Sequence, residues 1–508
     1  MIDLDDAPLT PTRHQRVAVA KIVADGYVFL TDEMGMGKTK SVIDSACALY
    51  RRGEIDRVIV IAPASVVPVW IDPDLGQISA HAWPTVPVTV THYHRRARAW
   101  HYGPESDTPL QIIASNYEYI RTGMRARSRH LPDRLKTLLG FCGPRTLLVL
   151  DESSAVKTGR ALQTRACKIL RAECGRVVLL TGTPIAHSPL DLLSQGNLLH
   201  HSILSDRPGV PCTVSSFRAR YCVMGGWQGK EIREWVHLDD LQARFAPHTL
   251  RRLKKDCLDL PPKLDPVALT VALSPATWKL YKQMRDEMIV HLRAAESVVV
   301  AQQVITKLIR LSQLTSGFLG GVEGLDGVPT DRVEIVGREK LGAVLDWYRD
   351  RLDADPSLKL VIWSRFRAEV QQIVAALRDE GTAEVGVLWG SGTRAEREHA
   401  LRLLHPQTVP DGAAVLVGTP ATGAMGITLA GSSTVLYASN SPSLNVRMQS
   451  EDRTHRPGQI AACSYTDVVA TGPDGQRTID HLILRALRER RDLAEWTASA
   501  WIEALRAS

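Results

Sequence analysis

The chain has 508 residues, 44% of them hydrophobic, which is enough for two or three domains of ordinary size. An excess of 62 Lys and Arg over 55 Asp and Glu, +7 at pH 7, favours a polyanionic partner. No apolar run approaches the roughly 18–20 residues of a membrane span, the acidic start Met1-Ile2-Asp3-Leu4-Asp5-Asp6 is unlike a secretory signal, and none of the eight cysteines forms a Cys-x-x-Cys pair, so a cytoplasmic protein with reduced, mostly buried thiols and no membrane or zinc site is expected.

Short Val/Ile/Leu runs alternate with helical stretches along the whole chain, the pattern of an α/β protein. The run Tyr27-Val28-Phe29-Leu30 reads as a strand. It empties into Thr31-Asp32-Glu33-Met34-Gly35-Met36-Gly37-Lys38-Thr39 and then into a helix with apolar positions Val42, Ile43, Ala46, Leu49 and Tyr50. Gly35 and Gly37 let backbone N–H groups turn inward around a polyphosphate, Lys38 offers charge to its outer phosphates, and Thr39 offers a hydroxyl to Mg²⁺. Asp32 stands where the general phosphate-binding pattern has its first glycine. Further strands are predicted near 58–62, 111–115, 146–150 and 177–181. At the carboxyl end of the fourth of these five strands, Asp151 can hold Mg²⁺ through water and Glu152 can polarise an attacking water.

Residues 188–250 lose the strand rhythm and read as a helical projection. Residues 274–316 also read as helical, with apolar positions at Leu280, Met284, Met288, Ile305, Leu308 and Leu311. Strands resume near 359–363, 386–389, 414–418 and 434–438. A helix following Leu444 would carry Gln449, Arg453 and Arg456 at i, i+4 and i+7, on one face. From Thr478 the apolar positions Ile479, Leu482, Ile483, Ala486 and Leu487 predict a helix bracing the second half. Two basic stretches are candidates for nucleic-acid contact or for plain solvated surface: Arg121 to Lys136, with Arg125, Arg127, Arg129 and Arg134, and Tyr93 to Trp100, with Arg95, Arg96 and Arg98.

Four segments together carry a family resemblance. Asp32 to Thr39, the Asp151-Glu152 pair, Leu180-Thr181-Gly182-Thr183-Pro184, and Asp452-Arg453-Thr454-His455-Arg456-Pro457-Gly458-Gln459 resemble motifs I, II, III and VI of the Swi/Snf-type ATPases of helicase superfamily two. In the intervals, Arg13 with Gln15 resembles the adenine-reading element, and Ala62-Pro63-Ala64-Ser65 with Trp70 resembles motif Ia. Arg251-Arg252-Leu253-Lys254-Lys255 with Leu260-Pro261-Pro262-Lys263 is similar to the segment joining the lobes. Ile362-Trp363-Ser364 and Gly423-Ala424-Met425-Gly426-Ile427-Thr428-Leu429 resemble motifs IV and V. The motifs nearly fill the chain, which leaves little expected room for a chromatin-reading or wedge domain. The lead-in Tyr437 to Ser441 and the later Thr478-Ile479-Asp480 resemble compact phage and bacterial members. Two positions depart from the pattern: Ser154 replaces the usual last histidine of motif II, and Pro442 stands near a common aromatic position.

The resemblance implies two RecA-like parallel-sheet lobes with helical protrusions and an ATP cleft between them. Residues 1–250 would form the ATP-binding lobe, with a helical protrusion over about 188–250, and 251–273 the linker. Residues 274–508 would form the C-terminal lobe, with a protrusion over about 274–316 and a brace helix over about 478–506. ATP would be held by Arg13, Gln15, the loop Asp32, Glu33, Met34, Gly35, Met36, Gly37, Lys38 and Thr39, and by Gly426 and Gln449. Lys38, Asp151, Glu152, Arg453 and Arg456 would be catalytic, with Arg456 the arginine finger. Thr39 and Asp151 would hold Mg²⁺, and Thr181, Gly182 and Thr183 would couple the site to movement. Pro63, Ser65, Ser115, Asn116, Ser364, Gly390 and Thr419 would meet the backbone of double-stranded DNA, on the side away from the nucleotide edge, with little sequence specificity. The motifs identify no protein partner. The expected activity is that of a DNA-dependent ATPase moving along duplex DNA. A strand-separating helicase on DNA or RNA, and a nucleotide-gated DNA-binding adaptor with weak hydrolysis, remain open at this point.

Overall fold

The structure, a computed structural model, describes residues 2–74, 76–94, 98–125, 130–185, 188–207, 209–226, 231–293, 300–320, 332–390, 392–423 and 427–489. The chain divides into two compact units, Met1–Leu258 and Asp259–Ser508.

The strands of the first unit are β1 (Tyr27–Leu30), β2 (Arg57–Ala62), β3 (Val88–His92), β4 (Arg98–Tyr102), β5 (Leu110–Asn116), β6 (Thr146–Leu150), β7 (Arg176–Leu180), β8 (Cys222–Gly225), β9 (Glu231–Trp235) and β10 (Thr249–Leu250). Among the described residues, eight of them form one sheet in the order β10-β1-β7-β6-β2-β5-β3-β4. All neighbours in it run parallel except β3 with β4. Strand residues alternate between two cores. Val28, Leu30, Val58, Val60, Leu147 and Val149 pack under the helices Arg13–Ala24 and Lys38–Arg51. Phe29, Ile59, Ile61, Leu148, Leu150 and Leu179 pack against Leu162–Glu173 and Asp191–Leu199. Burial on both faces explains why these strands read as continuous apolar runs rather than as alternating ones.

In the second unit, β11 (Val267–Ala272), β12 (Phe318–Leu319), β13 (Glu334–Ile335), β14 (Lys359–Trp363), β15 (Glu384–Leu388), β16 (Ala414–Gly418), β17 (Thr434–Tyr437) and β18 (Ser464–Thr471) follow in chain order. The main sheet, β11-β18-β17-β14-β16-β15, is parallel throughout. Helices Glu339–Ala354 and Arg367–Glu380 cover one face through Val344, Tyr348, Val370 and Ile373, and Arg394–Leu403 lies against the other through Ala400 and Leu403.

Several sequence expectations are corrected. The stretch 188–250 is not wholly helical, because β8 and β9 form an antiparallel hairpin there. The linker does not run to residue 273. Residues 251–258 belong to the first unit, and β11 is an edge strand of the second sheet, its side chains largely exposed. In the 274–316 stretch the helices are Pro275–Arg293 and Val300–Thr315. Leu280 is exposed, and the side chains of Met288 and Ile305 lie outside the described residues. The C-terminal helix is described as Ile479–Arg488, since 490–508 lie outside the described residues. It packs on Trp278, Tyr281, Leu311 and Leu314 of the 274–316 helices.

The helix after Leu444 is also shorter than its periodicity predicts. It spans Leu444–Glu451 and is closed by Asp452, whose N–H donates to Met448 O at 3.0 Å. Gly458, at φ 100°, turns the chain back, and the Gln459 side chain holds that turn by donating to Ser432 O at 2.8 Å and Thr454 O at 3.2 Å. Gln449 is therefore helical, while Arg453 and Arg456 leave a turn beyond the helix rather than its face.

What anchors this turn is a buried ionic cluster at the root of the short helix. Arg447 donates to Glu451 Oε1 at 2.5 Å and to Asn440 Oδ1 at 2.7 Å, and it also pairs with Asp467. Its guanidinium lies 3.5 Å from the Tyr437 ring centroid. Lys263 closes the cluster on Glu451. Removing one member of such a cluster leaves buried charge without its counterpart. Arg447→Ala should lower the stability of the second unit by about 3–5 kcal/mol, read as an earlier urea transition for that unit. A loss below about 1 kcal/mol, the worth of a surface pair, would show that the cluster does not anchor the fold.

Candidate functional site

In the first unit the loops of interest all leave the carboxyl ends of parallel strands. Residues Thr31 to Thr39 follow β1, Thr181-Gly182-Thr183 follow β7 and Asp151-Glu152 follow β6, and these three strands are neighbours in the sheet. That edge is where open α/β sheets receive ligands. Gly35 and Gly37 both adopt left-handed backbone, at φ 77° and 75°. Gly37 is also the N-cap of the 14-residue helix Lys38–Arg51, so the loop wraps the positive end of a helix dipole. A Cβ on Gly37 would stand 2.2 Å from Gln15 Nε2, which brings the Gln15 amide directly against the loop. Gln15 is itself fixed by a capping box with Thr12, accepting from Thr12 N at 3.0 Å. Arg13, at the start of the same helix, is exposed.

Lys38 folds over its own loop, donating to Asp32 O at 2.7 Å and Glu33 O at 3.1 Å. Its charge also acts on Asp151, which ties the first and third of these loops into one electrostatic unit. Asp151 is buried. Its Oδ2 accepts from Trp70 Nε1 at 2.8 Å and its Oδ1 from the Glu152 N–H at 2.9 Å. Burial raises the Asp151 pKa, and these two hydrogen bonds together with the Lys38 charge oppose the rise. The Tyr117 hydroxyl donates to Asp151 O at 2.9 Å, fixing the backbone at the strand end. Glu152 holds φ 49°, a left-handed conformation that a non-glycine residue adopts at a cost of order 1–3 kcal/mol; outside the glycines it shares positive φ only with His237 among the described residues. Thr39 is half-buried at the start of the helix. Its hydroxyl and the Asp151 carboxylate are hard oxygen donors, suited to a Mg²⁺ ion that takes its remaining ligands from phosphate and water. Among the described residues, no three His, Cys, Asp or Glu side chains gather into a metal site, at this edge or elsewhere.

Gly182 packs directly on Met34: a Cβ there would lie 2.6 Å from Met34 Cγ. Thr181 donates its N–H to Leu30 O at 3.2 Å and accepts at Oγ1 from Thr183 N at 3.1 Å. The segment after β7 is thus seated on the phosphate loop. In the family motif II this chain has Ser154, which is half-buried, while its neighbour Ser153 donates to Gln195 Oε1 at 2.8 Å.

The residues around Arg251 are more closely bound to the loop than the sequence suggested. β10 pairs parallel with β1, and the chain then continues alongside residues 31–33. Glu33 N donates to Arg252 O at 3.0 Å and Lys254 N to Glu33 Oε2 at 2.7 Å. Arg251 Nη1 reaches Thr31 O at 2.7 Å and Gly182 O at 3.1 Å. Arg252 forms a fork on the Asp32 carboxylate, with Nε to Oδ1 at 2.9 Å and Nη2 to Oδ2, and also donates to His14 O. Asp32 therefore stands in the glycine position of the general pattern as the acceptor for this arginine. His14, which sequence reasoning missed, shares a 2.9 Å hydrogen bond with Met36 O and closes the other side of the loop.

The residues expected at DNA divide in two. Pro63 and Ser65 are half-buried after β2, Gly390 is exposed after β15, and Thr419 is half-buried after β16. Ser115, Asn116 and Ser364 are buried, and their side chains serve the protein. Ser115 Oγ donates to Tyr93 O at 2.8 Å, Asn116 Oδ1 caps the Tyr119 N–H at 2.6 Å, and Ser364 Oγ donates to Glu369 Oε2 at 2.5 Å. The side chains at these three positions are thus engaged within the protein. Pro63, Ser65, Ser115 and Asn116 stand on the same carboxyl edge as the phosphate loop, displaced along the sheet to β2 and β5. In the basic stretches, Arg121 donates to Gln163 Oε1 at 2.9 Å, Arg134 lies 4.6 Å from the Tyr119 ring centroid, and Lys136 pairs with Asp133 at 3.1 Å. Arg95, Arg96, Arg127 and Arg129 lie outside the described residues.

In the second unit Gly426 lies outside the described residues, and Gln449 is half-buried on the helix Leu444–Glu451. Arg453 O accepts from Leu429 N at 2.8 Å, and Arg456 Nη1 donates to Ile427 O at 2.7 Å, so the turn is bound to the end of motif V. Burial and the neighbouring Arg453 charge push the Arg456 guanidinium down to about 10, against the opposing charge of Asp452.

The SNF2-related domain family matches residues 24–316. Among curated proteins, the mouse DNA annealing helicase and endonuclease ZRANB3 is 25% identical over 490 residues, covering 95% of this chain and 40% of that protein. An uncharacterized ATP-dependent helicase of Mycoplasma pneumoniae is 22% identical over 471 residues, covering 92% of this chain and 40% of its own length. The chain thus spans about two fifths of these two relatives. The Sulfolobus solfataricus SWI2/SNF2 ATPase core in complex with dsDNA aligns at 18% identity with a TM-score of 0.40, covering 99% of this chain and 97% of that one. With the family's domain matched over more than half of its residues and the motif loops assembled at one sheet edge, the chain belongs to the SNF2-related family.

Proposed function

We propose that this chain is an ATP-dependent motor that tracks along double-stranded DNA, hydrolysing ATP to drive the movement. The observation that carries the reading is the assembly of the phosphate loop, Asp151-Glu152 and Thr181-Gly182 on three adjacent strand ends in a chain of this family. ATP and DNA as the nucleotide and track are supported by the relatives, one named an ATP-dependent helicase and another a DNA annealing helicase.

In this reading the left-handed turns at Gly35 and Gly37 aim N–H groups at the phosphates. Lys38 exchanges its loop carbonyls for phosphate oxygens, and Gln15 reads the base. Thr39 and Asp151 hold Mg²⁺, which neutralises phosphate charge when bound. Glu152 orients the attacking water. Arg453 and Arg456, carried by the second unit, supply charge to the transition state, and the partial desolvation of Arg456 strengthens its pull on an anion. Contacts to DNA are made by backbone groups at Pro63, Ser65, Gly390 and Thr419, which presents the same chemistry to every sequence.

Lys38→Ala should abolish hydrolysis, while Glu152→Gln should keep ATP binding and stop turnover, checked by steady-state ATPase beside a fluorescent-nucleotide titration. Near-wild-type hydrolysis by either variant would displace the site. Arg456→Ala should lower kcat by about 10²-fold or more with little loss of ATP affinity, because its contact belongs to the transition state. An equal loss of binding would instead make it a ground-state ligand.

The motor reading itself is tested with a DNA triplex. ATP-dependent displacement of the third strand is expected, with ATPase stimulated more by duplex than by single-stranded DNA or RNA. Efficient unwinding of a tailed duplex without triplex displacement would favour a strand-separating helicase. Duplex binding with neither would favour a nucleotide-gated adaptor.

A further inference from the structure

We infer that Trp70 is the positioning residue for the Asp151 carboxylate, and that through it the segment following β2 sets the metal-holding geometry at the end of β6. The inference rests on the reading of Asp151 as a Mg²⁺ ligand and adds a residue that acts through it.

Trp70 sits in the short helix Val67–Ile71, a few residues beyond Pro63 and Ser65, and is 1% exposed. Its indole N–H donates to Asp151 Oδ2 at 2.8 Å. Asp151 Oδ1 meanwhile accepts from the Glu152 N–H at 2.9 Å. Each carboxylate oxygen thus has one protein donor, and the group is held at both ends. The backbone beneath it is held as well, by Tyr117 at Asp151 O and by the Asp151 N–H on Ile61 O at 2.8 Å. Rotation about the side chain is then closed, and the remaining lone pairs point in one fixed set of directions. A carboxylate that holds Mg²⁺ benefits from this, because the ion demands near-ideal octahedral geometry and is sensitive to the orientation of its ligands.

A buried indole usually finds an acceptor, so the bond could serve only Trp70. A second pair in the same unit shows what that bland arrangement looks like. Trp83, also 1% exposed, donates to Asp44 Oδ1 at 3.0 Å, and Asp44 is neutralised by Lys40 at 2.6 Å in the middle of a helix. That carboxylate is enclosed by its partners within the helix that follows the phosphate loop, and it does not stand at a strand end. Asp151 differs in standing at the carboxyl end of a central strand, within the field of Lys38. The indole of Trp70 therefore orients a carboxylate that faces the ligand edge. It also joins that carboxylate to Ala62-Pro63-Ala64-Ser65, so a displacement of this segment moves a hydrogen-bond partner of Asp151.

The test is Trp70→Phe, which keeps a ring in the core and removes the donor. Binding of Mn²⁺, read by electron paramagnetic resonance in the presence of a non-hydrolysable ATP analogue, should weaken about 10-fold or more, the usual effect of losing an outer partner of a metal ligand. Binding of the analogue without metal should stay within about twofold, and kcat should fall about 10–100-fold with little change in KM for ATP. If the Phe variant does not fold, replacement of Trp70 by β-(3-benzothienyl)alanine preserves the ring shape and exchanges N–H for sulfur, with the same expectation. Wild-type Mn²⁺ affinity and kcat in the variant would overturn the inference. So would an equal loss of analogue binding with and without metal, which marks a purely structural residue. Failure of the unaltered protein to bind Mn²⁺ with nucleotide would instead overturn the reading of the site itself.

Discussion

Parallel strands can be joined only by crossovers, and here helices cover both faces of both main sheets. Polar loops are left with the strand ends, and the carboxyl ends carry the turns that enter the helices. In the first unit this constraint decides which residues can meet. β1, β7 and β6 lie side by side although β7 follows β1 by almost 150 residues of chain. The phosphate loop, the Thr181 turn and the Asp151-Glu152 pair become neighbours because hydrophobic pairing of Leu30 with Leu180 and of Leu150 with Leu179 fixes the register beneath them. A slip of one residue would exchange the faces of every strand residue and misalign the three loops.

The loop itself is held by the chain that leaves the unit. Arg251 binds carbonyls of both the phosphate loop and the Thr181 turn, and Arg252 forks onto Asp32. Asp32 is buried and paired with Arg252, and such a pair is strongly destabilising to break although its net worth when intact is small. The departure at Asp32 thus has a physical reason: a glycine would leave Arg252 without its carboxylate partner, with His14 O left to accept from it. The second unit begins seven residues after Arg252, at Asp259.

The legible parts of the sequence were those with a strong local signal. β1, β6, β7, β14 and β16 are buried on both faces, so their apolar runs stand out, and the glycines of the phosphate loop mark the left-handed turns. The poorly legible strands lie mostly at edges. β4 carries exposed Arg98, Ala99 and His101, and β11 is exposed at Val267, Ala268, Thr270 and Ala272, so neither shows an apolar run. β18 was missed for another reason: its Ser464-Tyr465-Thr466-Asp467 start places a charged residue in the core, tolerated because Arg447 pairs with it. Ser115 near the end of β5 and Ser364 just after β14 are ambiguous in the sequence for a further reason. A short hydroxyl at a strand end suits a phosphate contact and equally suits a bond to a nearby carbonyl, and here Ser115 donates to Tyr93 O and Ser364 to Phe366 O.

The shortened helix after Leu444 shows how side-chain spacing can mislead. The i, i+4, i+7 pattern of Gln449, Arg453 and Arg456 would be a helical face only if the helix continued, yet its last residues are drawn into buried bonds. Tyr437 and Ser450 share a 2.7 Å hydrogen bond, and Glu451 is held by Arg447 and Lys263. Thr454 then bonds back to Glu451 O at 3.0 Å, tightening the chain into the turn. The Arg453 backbone is consequently anchored at Leu429, and the Arg456 guanidinium is held at Ile427 O, rather than either standing on a helical surface. An arginine on an exposed helix samples many rotamers in water. One leaving a turn whose backbone is bonded on both sides starts with fewer of them, and orders at a smaller entropic cost when an anion arrives. Placing two guanidiniums near one another while burying one raises the free energy of the cation. The Arg447 cluster fixes the backbone on which that turn stands, and the Asp452 charge opposes the cost of burying Arg456.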